Sequence, residues 1–289
     1  MKAPDFSYCR PSTTEEAYAI LAEFGSDARV LAGGQSLMAS LNLRLAAPTL
    51  LVDINRIDSL KGIEYDPSTH ELCIKALARH ADTARSELVA NHAPLLTLAM
   101  RHVAHPAIQN RGTTCGSIAL ADPSAEMPAC ALALDARIVL ESQAGGRRSV
   151  PASDFFLGLY ETARRDDELI TEVRYPCRAP DDVFGFDELS RRHGDFAIAG
   201  VCVSGRRRGD RIQNLRLTVF GTDPIPIRCE AARAADDADW TEALIAHIAD
   251  AASRELNPDD GPYGSPRVRR IQAAALIRRT LSGTFPTQD

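Results

Sequence analysis

The chain has 289 residues, 45% of them hydrophobic and 25% charged, with a formal net charge of −6. That balance supports a folded core spread over roughly two domains, and it argues against a nucleic-acid partner, which selects a basic surface. No run of about 18 apolar residues is present, and Met1-Lys2-Ala3-Pro4-Asp5-Phe6 lacks the apolar stretch of a secretory signal. Membrane insertion is therefore not expected, and a cytoplasmic location is.

Ser12-Thr13-Thr14-Glu15-Glu16 contains a Ser/Thr-x-x-Glu capping box, and Ala17, Ile20, Leu21 and Phe24 recur at helical spacing before Gly25. Residues 29–32 read as a short strand entering the turn Ala32-Gly33-Gly34-Gln35-Ser36. A brief helix or turn over 37–44 and a buried strand over 50–54 complete a first lobe of about residues 1–55. A second lobe over 56–176 carries a strand at 72–77 and an Ala/Leu-rich helix at 94–103. A second glycine turn, Arg111-Gly112-Thr113-Thr114-Cys115-Gly116-Ser117, precedes a helix at 123–134 and a strand at 136–141. A glycine hairpin tip at 144–146 and a strand at 168–175 end the lobe. Residues 177–182 suit a linker. Beyond it, strands at 196–204 and 212–220 bracket a turn at 206–210, and helices follow at 240–256 and 268–281. Strands with helices on one face make the class α+β.

The seven cysteines are scattered, with no Cys-x-x-Cys and no iron–sulfur spacing, so any redox chemistry falls to an organic cofactor. The histidines show no metal-ligand spacing. Chemistry concentrates instead in the two glycine turns. Successive bare N–H groups form a concavity that attracts anions, and glycine permits both the curvature and the close approach. Neither turn is Gly-x-Gly-x-x-Gly or a P-loop. Two such turns suggest one dinucleotide gripped from two sides, although the first alone is equally well a plain strand-to-helix turn. Asp122 and Glu126 flank the next helix, where a carboxylate either complements the helix dipole or accepts a hydrogen bond from a ribose hydroxyl.

Tyr8-x-x-Pro11, Leu31-Ala32-Gly33-Gly34-Gln35-Ser36-Leu37, Asn110-Arg111-Gly112-Thr113 and Gly116-Ser117-Ile118-Ala119-x-Ala121-Asp122-Pro123 follow one another in order. Asp154-Phe155-Phe156, Glu168-Leu169-Ile170 and Arg191-Arg192-His193-Gly194-Asp195-Phe196-Ala197 continue the series. In these motifs, over about residues 4–283, the chain resembles the FAD-binding medium subunit of the molybdenum hydroxylases, the family of xanthine dehydrogenase and aerobic carbon monoxide dehydrogenase. The resemblance implies a two-lobed vanillyl-alcohol-oxidase (PCMH)-type FAD-binding domain over 1–176. It implies a carbon monoxide dehydrogenase flavoprotein C-terminal-like domain over 177–289, an antiparallel three-stranded sheet with helices.

The same resemblance implies that Ala32, Gly33, Gly34, Gln35 and Ser36, with Thr113, Thr114, Cys115, Gly116 and Ser117, cradle the pyrophosphate of FAD. Glu126 matches an acidic ribose contact, Ile170 an apolar position near the flavin, and Asp187 a place where some relatives carry a lysine. Cys115 departs from the pattern, since relatives usually have two adjacent glycines there. Gln35 stands where covalent attachment would use a histidine, so the FAD is expected to be noncovalent. The segment 191–195 is either a solvated hairpin or a neighbour of the isoalloxazine edge. A molybdenum-cofactor large subunit and a small 2Fe-2S subunit are the implied partners, as a dimer of heterotrimers, with electrons passing from the clusters through FAD to an external acceptor. No residue of this chain is required as a catalytic acid or base. The rival readings are a free-standing flavin reductase or oxidase of the same fold, and a non-catalytic assembly subunit that has lost FAD.

Overall fold

The computed structural model describes residues 2–236 and 238–287. In the first lobe, Leu50–Asp53 lies between Ser7–Cys9 and Ala28–Leu31 in a three-stranded parallel sheet. All four residues of Leu50–Asp53 are buried, as expected for a central strand covered on both faces. The helix Thr14–Phe24 starts at the expected capping box. The Thr13 hydroxyl accepts from the Glu16 N–H, and the Glu16 carboxylate reaches back to the Ser12 N–H at 2.7 Å.

The second lobe is a five-stranded antiparallel sheet in the order Ile63–Asp66, Glu71–Lys75, Leu169–Pro176, Arg137–Ser142, Gly146–Pro151. Short helices, among them Glu87–His92, Pro94–Met100, Thr114–Leu120 and Glu126–Ala133, pack with it around one hydrophobic core shared by both lobes. Two helices are shorter than the sequence suggested. Pro94–Met100 stops before 103, and the last helix starts at Glu126 because 122–125 form a turn in which the Asp122 carboxylate accepts from the Ser124 N–H.

The C-terminal sheet corrects the three-stranded expectation. It has four antiparallel strands: Asp182–Ser190, Ala197–Arg208, Arg211–Phe220 and Ile227–Arg228. The last is two residues long, too short to show alternation. The first emerges directly from the expected linker, which is itself tied down: the Cys177 N–H donates to His70 O and the Arg178 N–H to His92 O. Helices Glu242–Glu255 and Pro266–Thr284 cover this sheet and close a second core. Asp182–Ser190 divides its loyalties with the strand period of two. Phe184 and Phe186 pack on the core of the first domain, whereas Leu189 packs on the second.

Candidate functional site

The strand Ala28–Leu31 runs into the first glycine turn, and the helix Leu37–Asn42 leaves it. Gly34 has φ +74°, in the left-handed region that glycine adopts freely. The backbone N–H groups of Gly33, Gly34, Gln35 and Ser36 donate to no acceptor among the described residues. Gly33, Gly34 and Gln35 line a cavity of about 320 Å³ together with Leu31, Ala32, Met38, Asp53, Asn55 and Arg111. Three open donors at a cavity wall, with the Ser36 N–H next in sequence, form an anion-binding concavity.

The second glycine turn is different. Thr113 is the N-cap of the helix Thr114–Leu120, so Thr114, Cys115, Gly116 and Ser117 form a helical turn rather than an open loop. Its amides are largely spent. Gly112 N–H donates to Ile108 O, Thr114 N–H to Ala78 O, Gly116 N–H to Thr113 Oγ1 and Ser117 N–H to Thr113 O. The Thr114 hydroxyl pairs with Thr83, and the Cys115 thiol donates to Ile74 O at 3.5 Å, both inside the core. Burial pushes the Cys115 thiol far above its ordinary pKa. The Cys115 side chain points into the core, away from the cleft. Sequence alone did not give its direction.

The turns nevertheless meet. A Cβ on Gly33 would overlap the carbonyl oxygen of Arg111 and lie 2.8 Å from Gly112 Cα, so backbone packs on backbone. A polar clamp fixes that contact. The Arg79 guanidinium donates to Arg111 O and to Asn55 Oδ1, each at 2.5 Å, and the Asn55 amide donates to Ala32 O at 2.9 Å and to Asp53 Oδ1 at 2.7 Å. Tyr8 donates to the other Asp53 oxygen, and Arg10 lies 3.5 Å from it. Burial works against the Asp53 charge, but Tyr8, Asn55 and Arg10 together hold its carboxyl below the ordinary value. Arg79 and Asn55 carry no motif of their own; the one cue is the polar Asp53-x-Asn55 that closes a buried strand. His80 completes the floor. Its N–H donates to Gly112 O, its ring lies against Gly112, and burial pushes the imidazole down to about 4, so it is neutral.

The remaining sequence-derived residues lie apart from this loop pair. Glu126 is the first residue of its helix and half-buried. Burial pushes its carboxyl up to about 8, its own N–H opposes that shift, and the Glu188 and Asp122 charges add to it. Ile170 is buried in the core opposite Leu140 in the five-stranded sheet. Asp187 faces the C-terminal helix, where Arg279 donates to its carboxylate at 2.6 Å. The strand's other face carries Phe186 and Glu188 toward the first domain, with His102 Nδ1 3.5 Å from Glu188 Oε1.

Residues 4–178 match the FAD binding domain in molybdopterin dehydrogenase, and residues 184–284 match the CO dehydrogenase flavoprotein C-terminal domain. The chain is 39% identical, over 98% of its own length and 95% of the relative's, to the 6-hydroxypseudooxynicotine dehydrogenase complex subunit alpha of Paenarthrobacter nicotinovorans. Among solved structures, it superposes on carbon monoxide dehydrogenase from Hydrogenophaga pseudoflava with a TM-score of 0.95 and 36% identity, covering 99% of both chains. Quinoline 2-oxidoreductase from Pseudomonas putida 86 gives a TM-score of 0.92 at 34% identity, with 98% of both chains covered.

Proposed function

The chain belongs to the FAD-binding medium subunits of the molybdenum hydroxylases, and from that premise we propose that it holds a noncovalent FAD with the pyrophosphate on the amides of Gly33, Gly34, Gln35 and Ser36. The observation that carries this reading is the run of N–H groups without protein acceptors from Gly33 to Ser36, of which Gly33, Gly34 and Gln35 line the cavity, closed at the back by a glycine that has no room for a Cβ. The residues present fit such an anion. Arg111 lines the same cavity and brings positive charge, while the Arg79 guanidinium holds the walls together. Thr113, Thr114, Cys115, Gly116 and Ser117 then act as the second wall, which meets the first turn through Arg111 and Gly112. Glu126 takes a ribose hydroxyl, Ile170 supports the flavin from the core, and Asp187 acts through its pair with Arg279.

When bound, the flavin supplies reversible electron transfer; the protein binds it, orients it and keeps water from its reactive edge. In our reading, electrons from the 2Fe-2S clusters of a small partner subunit leave through this subunit to an external acceptor, and substrate is oxidised at a molybdenum cofactor on a large partner subunit. The assembly is a cytoplasmic dimer of heterotrimers. The relatives' designations as subunits support a multi-chain enzyme, and no helix among the described residues is long and apolar enough to cross a membrane.

The test is to purify the protein from its native source, identify the chains that accompany it, and precipitate it in acid. FAD in the supernatant and two companion subunits are the expected result. A flavoprotein without companions would make it free-standing, a colourless complex would make it an assembly subunit, and a yellow pellet would mean a covalent flavin.

A further inference from the structure

Of the residues that line the cavity at the first glycine turn, two carry charge, Asp53 and Arg111. Asp53 is fully served. Its carboxylate accepts from the Tyr8 hydroxyl, from the Asn55 N–H at 2.9 Å and from the Asn55 amide at 2.7 Å, and Arg10 lies 3.5 Å away. Arg111 is the opposite case. Its side chain is exposed, and among the described residues its guanidinium has no hydrogen-bond acceptor and no carboxylate partner.

An unpaired arginine on a surface is ordinary. Here the backbone that carries it is held on every side. The Arg111 N–H donates to Ile108 O at 3.0 Å, its carbonyl accepts from the Arg79 guanidinium, and the next residue, Gly112, packs on Gly33. The main chain is thus fixed at the cavity wall, and the charged head stays free beside the open N–H groups of Gly33, Gly34 and Gln35.

The charges around this cavity do not cancel. Arg10 offsets Asp53, and Arg79 spends its donors on two neutral oxygens, Asn55 Oδ1 and Arg111 O. Burial, and then the Arg111 charge, hold the Arg79 guanidinium below its ordinary value, and the Asp82 and Asp53 charges relieve it only in part. Excess positive charge beside open amides, in a chain of net charge −6, suits a diphosphate, whose oxygens accept from amides and from a guanidinium fork alike.

We propose that Arg111 is a cofactor ligand in its own right, donating from its guanidinium to the diphosphate of FAD and supplying the charge of the site. This rests on the reading that the chain binds FAD. The two arginines then divide the work: Arg79 holds the walls, and Arg111 binds what lies between them. Cofactor loading becomes sensitive to ionic strength, and other diphosphates contest it.

FAD titrations of the apoprotein at low and high salt, beside thermal melts without FAD, test this in wild type, Arg111→Gln and Arg111→Lys. Going from about 0.1 M to about 1 M salt shortens the screening length from about 10 Å to about 3 Å. At low salt Arg111→Gln should bind FAD about tenfold more weakly, between the few-fold effect of an exposed ion pair and the roughly hundredfold effect of a buried one. At high salt the gap should close to less than about threefold. Arg111→Lys keeps the charge without the fork, so it should recover part of the affinity and the salt dependence. Inorganic pyrophosphate should compete with FAD in wild type and less well in Arg111→Gln. All three apoproteins should melt alike, because the side chain pairs with nothing in the described fold.

Equal affinity in wild type and Arg111→Gln would overturn the inference. So would a loss that salt leaves unchanged, or one that comes with a lower apoprotein melting temperature, since either makes Arg111 a support for the wall. Wild type that binds pyrophosphate and takes up no FAD would overturn the FAD reading itself; wild type that binds FAD, with Arg111→Gln binding as well, overturns Arg111 alone.

Discussion

The two glycine turns look alike in sequence and do different work in the fold. At 33–36 the chain leaves a parallel strand and keeps four N–H groups open before its helix begins. At 113–117 the helix has already begun, and a threonine cap with backbone carbonyls takes most of the donors. The first turn presents open donors to a cavity, and the second is a wall against which it is held. Small residues permit close approach, but whether an amide is free depends on the register of the following helix, and composition does not show that register.

The largest effect expected from this difference is at Gly33. Gly33→Val pushes a branched side chain into the Arg111–Gly112 backbone, which cannot rotate away, so FAD affinity should fall more than about hundredfold while circular dichroism stays near wild type. Gly116→Val meets only the Thr113 hydroxyl, at 2.6 Å, and that side chain can turn aside. Its cost should be a lost cap of about 1 kcal/mol, read in denaturant melts, with FAD affinity reduced less than about tenfold. Equal losses of affinity at the two positions would erase the distinction.

Next comes the clamp. Arg79→Ala removes both bonds that tie Asn55 to the Arg111 carbonyl, and FAD binding should weaken by about 1.5–3 kcal/mol in a titration of the apoprotein. If affinity survives unchanged, the walls are held by packing alone.

Glu126 gives a pH signature. Its folded-state pKa of about 8 lies above the ordinary carboxyl value, so the fold favours the protonated form. The resulting stability is complete below the ordinary value and is lost as pH rises through about 8. Melts of the apoprotein should therefore weaken between acid and mildly alkaline pH, and Glu126→Gln should flatten that trend. If a ribose hydroxyl donates to the carboxylate, FAD binding favours the ionised form, so affinity should rise over the same window in wild type and not in the variant. A wild-type affinity indifferent to pH would return Glu126 to a helix-end role.

The smallest effect on binding is expected at Cys115. Cys115→Gly should leave FAD affinity within about twofold, because the thiol points into the core. Stability should fall by roughly 1–2 kcal/mol, from lost burial and from glycine in a helix. A gain in affinity would mean that the side chain had been crowding the cleft.

Much of this was legible in the chain. The capping box, the buried strand at Leu50–Asp53 and the two C-terminal helices follow from spacing and apolar runs. Asp182–Ser190 was not, because a strand that packs one face on each of two domains mixes Asp187 and Glu188 with phenylalanines and reads as neither buried nor amphipathic. The clamp was hidden for another reason. Arg79, Asn55 and Arg111 are ordinary polar residues whose meaning arises only when three distant segments meet. The positions of Ile170 and Asp187 were visible only through resemblance, and the fold places one in the core and the other against Arg279.

Amide hydrogen exchange, followed by mass spectrometry with and without FAD, compares the two turns within one sample. Without FAD, the peptide covering 33–36 should exchange fast and the one covering 112–117 slowly, because the latter's donors are already paired. Adding FAD should protect 33–36 strongly and change 112–117 little. Protection appearing at 112–117 while 33–36 stays open would contradict the placement of the pyrophosphate on the first turn.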